Sequence, residues 1–244
     1  MLLQYFKDGI VHVGYTVPKV YPDWAHQIRY EGLFFIGQPR RTPFNSGQSL
    51  YRIDSSEAVA LGRYWTALSA PQIAEVLGSR SSKLRQSILR AGEYFEKSHE
   101  TPELPEMVIN LAIALEALFS PENQEQLRFR IAHSAAQYLG STPEEKKNIF
   151  NDVSQLYGRR NALVHGGYSI NEYYAGTFVS IDDVQRWSSL IRRAIVGFFV
   201  LALRGESDRR PILRKLEDSA FEPGSTAQLQ EQSDLEMYFV EQGL

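Results

Sequence analysis

The amino-acid sequence predicts a mainly α-helical protein that carries a small β-like segment at its N-terminus. Between residues 54 and 205, apolar side chains recur at the three- and four-residue spacing of an amphipathic helix. Start and stop signals bound each of these helical runs. Before residue 54, short aromatic and β-branched runs alternate with Pro and Gly instead. We therefore expect a β-like segment at 1–53, a helical domain at 54–205 and a polar C-terminal tail at 206–244.

The N-terminal segment contains three strand-like runs, IVHVGYTV, QIRYEGLFFIG and SLYRI, between Ile10 and Ile53. Segments rich in Pro and Gly separate these runs. The segment is short for a domain of its own, and the pattern fits equally an arm laid across a helical core or the remnant of a larger N-terminal domain. A further hypothesis is a sensor that recognises a ligand and regulates the helical part.

The first predicted helices each have an identifiable beginning. A run at 55–69 opens at one of two serines, and a second helix begins near Ser81. In the third, PEMVINLAIALEALF, Pro105 occupies the first turn, where a missing amide proton costs nothing. We expect a fourth helix to begin at Ser120-Pro121-Glu122 and to end at Gly140.

Two longer helices follow. Thr142, Pro143 and Glu145 form a capping box that predicts a helix reaching His165, where two glycines end it. Ser180 begins the last long helix. The tail after Gly205 reads as irregular, with a short helix at LEMYFVEQ. The apolar face of the last long helix comprises Val184, Trp187, Leu190, Ile191, Ala194, Ile195 and Phe198.

Composition narrows the possible classes of protein. The formal net charge is -3, so any contact with nucleic acid must be local. The absence of cysteine excludes disulfides, thiolate zinc sites and cysteine nucleophiles, and favours a cytoplasmic location. The start of the chain lacks the layout of a secretory signal. The longest charge-free apolar stretch, Ala194 to Leu203, is shorter than the ~20 residues that span a bilayer, so no membrane association is expected.

The helix ending at His165 carries an arginine where its core stripe calls for an apolar residue. Ile149, Val153, Leu156, Arg160 and Leu163 are spaced by three and four residues. A guanidinium at such a position needs an anionic partner or a cleft that keeps it solvated. Glu116 lies on the apolar helix that begins at Pro105, and its carboxylate needs a positively charged partner there. We therefore expect Glu116 to pair with Arg160 or Arg130, and a pair with Arg160 would orient the guanidinium.

Asn161 and His165 extend this polar group, because residues four apart lie on one face of a helix. Arg160 lies about 100° around the helix axis and is long enough to converge on them. His165 ends the helix, where free carbonyl groups stabilise an imidazolium by roughly 0.3–1 kcal/mol. Such a histidine is suited to general acid catalysis near neutral pH.

These residues also carry a resemblance. The pattern Arg160-Asn161, three residues, His165 resembles the R-x4-6-H signature of HEPN domains. The segments NLAIALEALFSPENQEQLRFRIAHSAAQYLG and LYGRRNALVHGG are similar to the Apea-like HEPN family. The resemblance extends over roughly residues 81–203 and leaves the N-terminal segment and the tail unmatched. It implies an antiparallel HEPN-type helical bundle that dimerises with two motifs facing one cleft.

Many proteins of this family are metal-independent endoribonucleases that act in phage defence, toxin–antitoxin pairs or RNA processing. The resemblance implies that His165 is a general acid or base around 2′-hydroxyl attack, that Arg160 stabilises charge on the phosphoryl oxygens and that Asn161 holds the histidine or the substrate. The family requires no cofactor. The expected partners are an RNA substrate, a second copy of the chain and an antitoxin or regulatory partner. Supporting residues are Glu116, Arg130, Arg159 and Tyr168.

Tyr168 is included for a different reason. Some HEPN toxins are silenced by nucleotidyl modification of a tyrosine just beyond the motif histidine. Its spacing from His165 differs by one residue from that pattern. The alternative to a ribonuclease is a non-catalytic HEPN module that binds nucleotide, RNA or a partner protein in the same cleft. A purely structural alternative is a polar group that joins two helices or two subunits.

Several other residues have a simpler interpretation. We expect His133 to be packed or on the surface and Trp65 and Trp187 to lie in the core. Charged residues on helices are usually solvated, so this is also the first expectation for the arginines that might line an RNA path. Those arginines are Arg128, Arg130, Arg192 and Arg193.

Overall fold

The computed structural model describes residues 82–101, 103–121, 125–166, 179–219 and 225–241, and within these ranges its regular structure is entirely helical. All of these residues belong to one compact unit of the chain. The predicted β-like segment, the predicted helix at 55–69 and Tyr168 lie outside the described residues. The helices are α1 Lys83–Glu100, α2 Leu104–Phe119, α3 Leu127–Leu139, α4 Pro143–His165, α5 Ile181–Leu203, α6 Arg209–Asp218, α7 Ser225–Gln232 and α8 Leu235–Glu241.

Helices α1 and α2 form a hairpin at the centre of the fold. The side chain of Ser82 caps α1 by accepting a hydrogen bond from the amide of Arg85. Proline lies in the first turn of α2, as predicted. Because α2 is apolar on almost every side, it contacts α1, α3, α4 and α5 and forms the middle of the core. Its buried residues are Met107, Val108, Leu111, Ala112, Ala114, Leu115, Leu118 and Phe119.

Helix α3 begins later than the sequence predicted. The amide of Ser120 donates to the carbonyl of Glu116, so Ser120 ends α2 and does not begin a new helix. Gln126, immediately before α3, adopts a left-handed backbone conformation with φ of 52°. The predicted start at 120–122 was therefore wrong, because a proline just after a helix end marks termination as readily as initiation. The predicted end at Gly140 is confirmed.

The boundaries of α4 and α5 are confirmed. Thr142 accepts from the amide of Glu145, and Gly166 closes α4 in a left-handed conformation with φ of 70°. A complete capping box of Ser180 and Asp183 begins α5. All seven residues of the predicted apolar face of α5 are buried, including Trp187. That face contacts all four preceding helices. In the core, the rings of Phe119 and Phe198 meet edge to face with centroids 5.3 Å apart.

The region after Gly205 is not irregular, since α6, α7 and α8 follow in order. Asp208 caps α6, and Ile212, Leu213 and Leu216 pack it against α1 and α3. Because charged residues surround these three, the apolar spacing that predicts a helix was too short to be recognised in the sequence. The predicted short helix near the C-terminus is confirmed as α8. Within the described residues, no helix has the length and apolar character needed to cross a membrane.

Candidate functional site

The last two turns of α4 bring the predicted motif residues to the surface. Arg160 is half-buried, and its Nη1 donates to Oδ1 of the adjacent Asn161 at 3.2 Å. Its Nε is buried and has no hydrogen-bond partner within the described residues. The guanidinium is therefore held at one end by an amide, while its Nε is enclosed by protein without a partner in the described residues.

His165 is the last residue of α4 and is exposed. Within the described part of the chain no hydrogen bond joins His165 to Arg160 or Asn161, so the single chain brings the three residues to one region without linking all of them. Val164, next to the histidine, is an exposed apolar residue, with 51% of its surface accessible.

Glu116 and Tyr157 lie behind the motif. Tyr157 is one turn before Arg160 on α4, and only 3% of its surface is accessible. Burial and the carboxylate of Glu116 raise the pKa of Tyr157, while the guanidinium of Arg160 acts in the opposite direction. Glu116 and Arg160 thus act on the same hydroxyl from two helices. Sequence reasoning missed Tyr157, although its position three residues before Arg160 placed it on the same face.

Arg130 has a different role from the one predicted. Its Nε and Nη2 donate to one carboxylate oxygen of Glu217 on α6, at 3.1 and 2.5 Å. Within the described residues, Glu116 makes no direct ion pair with Arg130 or Arg160. The prediction that Arg130 serves Glu116 was therefore wrong, because α6 had not been recognised and its carboxylate was not counted.

The other arginines near the motif differ in their surroundings. Arg128 is exposed and lies against α4, with Nη2 3.9 Å from the position that a Cβ on Gly158 would occupy. Arg159 is half-buried. Arg193 is committed to α3 and α4, since it donates to the carbonyl of Leu139 at 2.8 Å and approaches Glu145. Of the arginines considered for an RNA path, Arg128 lies beside α4 at Gly158, two residues before Arg160.

An aromatic cluster where α3 contacts α4 was also missed. Phe129 is 54% accessible, and the ring of His133 stacks on it with an interplanar angle of 10° and centroids 6.0 Å apart. Phe150 of α4 meets Phe129 edge to face at 5.6 Å. Burial lowers the pKa of His133, an effect that outweighs the opposing influence of the Leu216 carbonyl and Glu217. His133 is thus a packed residue, as predicted, and remains neutral at physiological pH.

The arrangement offers a cation and an imidazole at one helix end, with a half-buried carboxylate behind them. Such groups can bind a phosphate and transfer a proton to or from it. In the parts of the chain that the structure describes, no three His, Asp or Glu side chains are grouped in a way that would hold a metal ion. Comparison of the chain with models of protein families, with curated proteins and with solved structures finds no match.

Proposed function

We propose that this protein is a metal-independent endoribonuclease of the HEPN type, whose active site combines Arg160, Asn161 and His165 from two subunits. The observation that supports this most strongly is the hydrogen bond from Arg160 to Asn161 at the exposed end of α4. This bond joins two of the motif residues, and His165 lies one turn beyond them.

The chemistry follows from these side chains. The 2′-hydroxyl of the substrate attacks the adjacent phosphorus, the bond to the 5′-oxygen breaks, and a 2′,3′-cyclic phosphate and a 5′-hydroxyl result. His165 removes the proton from the attacking hydroxyl or supplies one to the leaving oxygen. Arg160 stabilises the negative charge that grows on the phosphoryl oxygens. Asn161 orients the guanidinium or the substrate.

A second subunit is part of the proposal. Val164 exposes 51% of its surface directly beside His165, where an apolar residue gains from being covered. Two copies of α4 that meet at this end would bury Val164 and bring two His165 side chains to one cleft. Val164→Asp is then expected to convert a dimer to a monomer, as measured by light scattering, and to abolish cleavage. An unchanged mass would contradict this arrangement.

The decisive experiment incubates the wild-type protein and His165→Ala with total RNA and with tRNA in EDTA, and then analyses the product ends. Cleavage by the wild type alone, leaving 2′,3′-cyclic phosphate, supports the proposal. His99→Ala, on α1, is the control for a histidine away from the motif and is expected to cleave. Loss of cleavage in EDTA, or cleavage by His165→Ala, would refute the mechanism. In the cell, this activity would suit a toxin or phage-defence effector that is held inactive by an antitoxin.

The second candidate is a non-catalytic HEPN module that binds nucleotide, RNA or a partner protein in the same cleft. It is favoured by the lack, within the described residues, of a hydrogen bond that orients His165 toward Arg160 or Asn161. It predicts that a folded wild-type dimer cleaves no RNA and that Arg160→Ala weakens binding without any change in catalysis.

A further inference from the structure

We infer that the exposed face of Phe129 is a stacking platform for an unpaired base of single-stranded RNA, several nucleotides away from the scissile phosphate. This inference rests on the proposed function, because it assigns a second contact to the same substrate. Phe129, on α3, has 54% of its surface accessible, although phenylalanine side chains are usually buried in the core.

The ring is held from two sides. His133, one turn along α3, stacks nearly parallel to it, and Phe150 of α4 touches it edge to face. These two contacts fix the orientation of the ring, and 54% of the surface of Phe129 stays accessible. A flat, rigidly held and exposed aromatic face is the feature on which nucleobases stack in proteins that bind single-stranded nucleic acid.

The residues that contact the ring of Phe129 are themselves held in place. Burial lowers the pKa of His133, so its ring stays neutral and presents an apolar surface to Phe129. Helix α6 holds α3 from behind through the pair of Arg130 and Glu217. A ring that is already immobile loses little conformational entropy when a ligand stacks on it.

Charge and position point to RNA as the occupant. Arg128, adjacent to Phe129 in sequence, is exposed and lies against Gly158 of α4, between the platform and the motif. Lys147 is exposed one turn before Phe150 on the same helix. A backbone that passes the motif would therefore meet cations on its way to the platform.

The separation excludes a base at the cleavage site itself. Phe150 and His165 are fifteen residues apart on α4, which corresponds to about 22 Å at the helical rise of 1.5 Å per residue. Phe129 contacts the Phe150 end of this interval. A base on Phe129 must then belong to a nucleotide several positions from the one that reacts. Its contribution should be equal in the ground state and the transition state.

The test measures binding without cleavage. A fluorescein-labelled 2′-O-methyl oligoadenylate cannot be cleaved by 2′-oxygen attack, so wild-type protein can be titrated against it by fluorescence anisotropy. We expect Phe129→Ala to raise the Kd roughly 5- to 150-fold, the factor that corresponds to the usual 1–3 kcal/mol per stacked base. Phe129→Leu, which is apolar but not aromatic, should lose most of the affinity, and Phe129→Trp should retain it.

Three controls make the result specific. Leu89→Ala removes another exposed apolar side chain, 44% accessible and on α1, and should leave the Kd unchanged. The same oligonucleotide in a duplex with oligouridylate should be insensitive to Phe129→Ala, because its bases are already stacked. Circular dichroism and light scattering on each variant verify the fold and the mass.

Wild-type affinity for the single strand by Phe129→Ala or Phe129→Leu would overturn the inference, as would a failure of the wild type to bind it. A change in mass on Phe129→Ala would also overturn it, since the face would then be an interface between copies. The two proposals fail separately. If the protein cleaves RNA but substitution of Phe129 does not change the Kd, only the stacking platform is refuted. If binding depends on Phe129 but the protein cleaves no RNA, the ribonuclease is refuted and a binding module is left.

Discussion

The guanidinium of Arg160 donates through Nη1 to Oδ1 of Asn161, its immediate neighbour on α4, at 3.2 Å. Adjacent residues on a helix point about 100° apart, so this contact requires the arginine to bend toward the amide. The arginine that interrupts the apolar stripe is thus directed to the side chain of Asn161, and it stays half-buried.

Arg160→Lys keeps the charge and is expected to reduce RNA cleavage by a factor of roughly 100–1,000, the usual effect of removing one donor to a transition-state oxyanion. A lysine cannot reproduce the planar fork that reaches both Asn161 and a phosphate. The measurement is kcat/KM on a defined RNA. Arg214→Lys, at an exposed position of α6, is the matched control and should leave it unchanged. Equal activity of the two variants would remove Arg160 from the site.

Glu116→Gln tests whether the carboxylate behind the motif positions Arg160. The amide has the same shape but no charge, so the carboxylate that acts on the Tyr157 hydroxyl together with the Arg160 guanidinium is removed. We expect cleavage to fall by about tenfold, since groups that orient a functional residue often contribute 10–100-fold. Glu106→Gln, which changes an exposed glutamate on the same helix, should have no effect on cleavage. Indistinguishable kinetics for the two variants would leave Glu116 with a structural role only.

The sequence predicted most helix boundaries because caps and glycines act locally. Thr142, Ser180 and Gly166 perform the roles that their neighbours in sequence require. The contacts between helices were not predictable in this way. The sequence around Arg130 does not indicate that it pairs with Glu217, because the two residues meet only when α6 packs against α3. The exposure of Phe129 and the burial of Tyr157 likewise depend on how α3 and α4 pack.

A double-mutant cycle on Arg130 and Glu217 measures how firmly α6 is attached. The two side chains are 26% and 33% accessible, so their ion pair is partly shielded from water. We expect a coupling free energy of about 1 kcal/mol in urea unfolding, reduced at high salt. The pair of Lys97 and Glu93, with accessibilities of 47% and 59%, is the exposed control. Its coupling should be smaller, because water and salt screen an exposed pair. Equal coupling in the two pairs would contradict a special role for α6.

Protonation of His133 should weaken the fold in acid. Burial lowers its pKa in the folded protein, with Lys146 acting in the same direction, whereas in the unfolded chain its pKa is near the ordinary value of 6.5. As the pH falls below 6.5, the unfolded state therefore binds a proton before the folded state does, and the free energy of unfolding decreases. In His133→Phe this contribution is absent. The difference in unfolding free energy between the two proteins should change with pH from 6.5 downward, and a constant difference would contradict the assignment.

Close packing between α3 and α5 is predicted to require a glycine at position 197. Gly197 lies inside α5, where alanine would normally stabilise a helix by roughly 0.5–1 kcal/mol. A Cβ at this position would lie only 2.5 Å from the hydroxyl oxygen of Tyr138 and 3.3 Å from Cβ of Ser233. Tyr138 is buried, with 3% of its surface accessible, so its ring has little room to move away.

We therefore expect Gly197→Ala to lower the free energy of unfolding by about 1–3 kcal/mol, the usual cost of overpacking a core. The offending atom is the phenolic oxygen, so the same substitution in a Tyr138→Phe background should cost far less, because the hydroxyl is gone. Urea unfolding of the four proteins gives both values in one cycle. If Gly197→Ala is equally destabilising with and without the Tyr138 hydroxyl, the close approach of α3 to α5 is not what requires glycine. If it is stabilising in the wild-type background, helix propensity outweighs packing at this position.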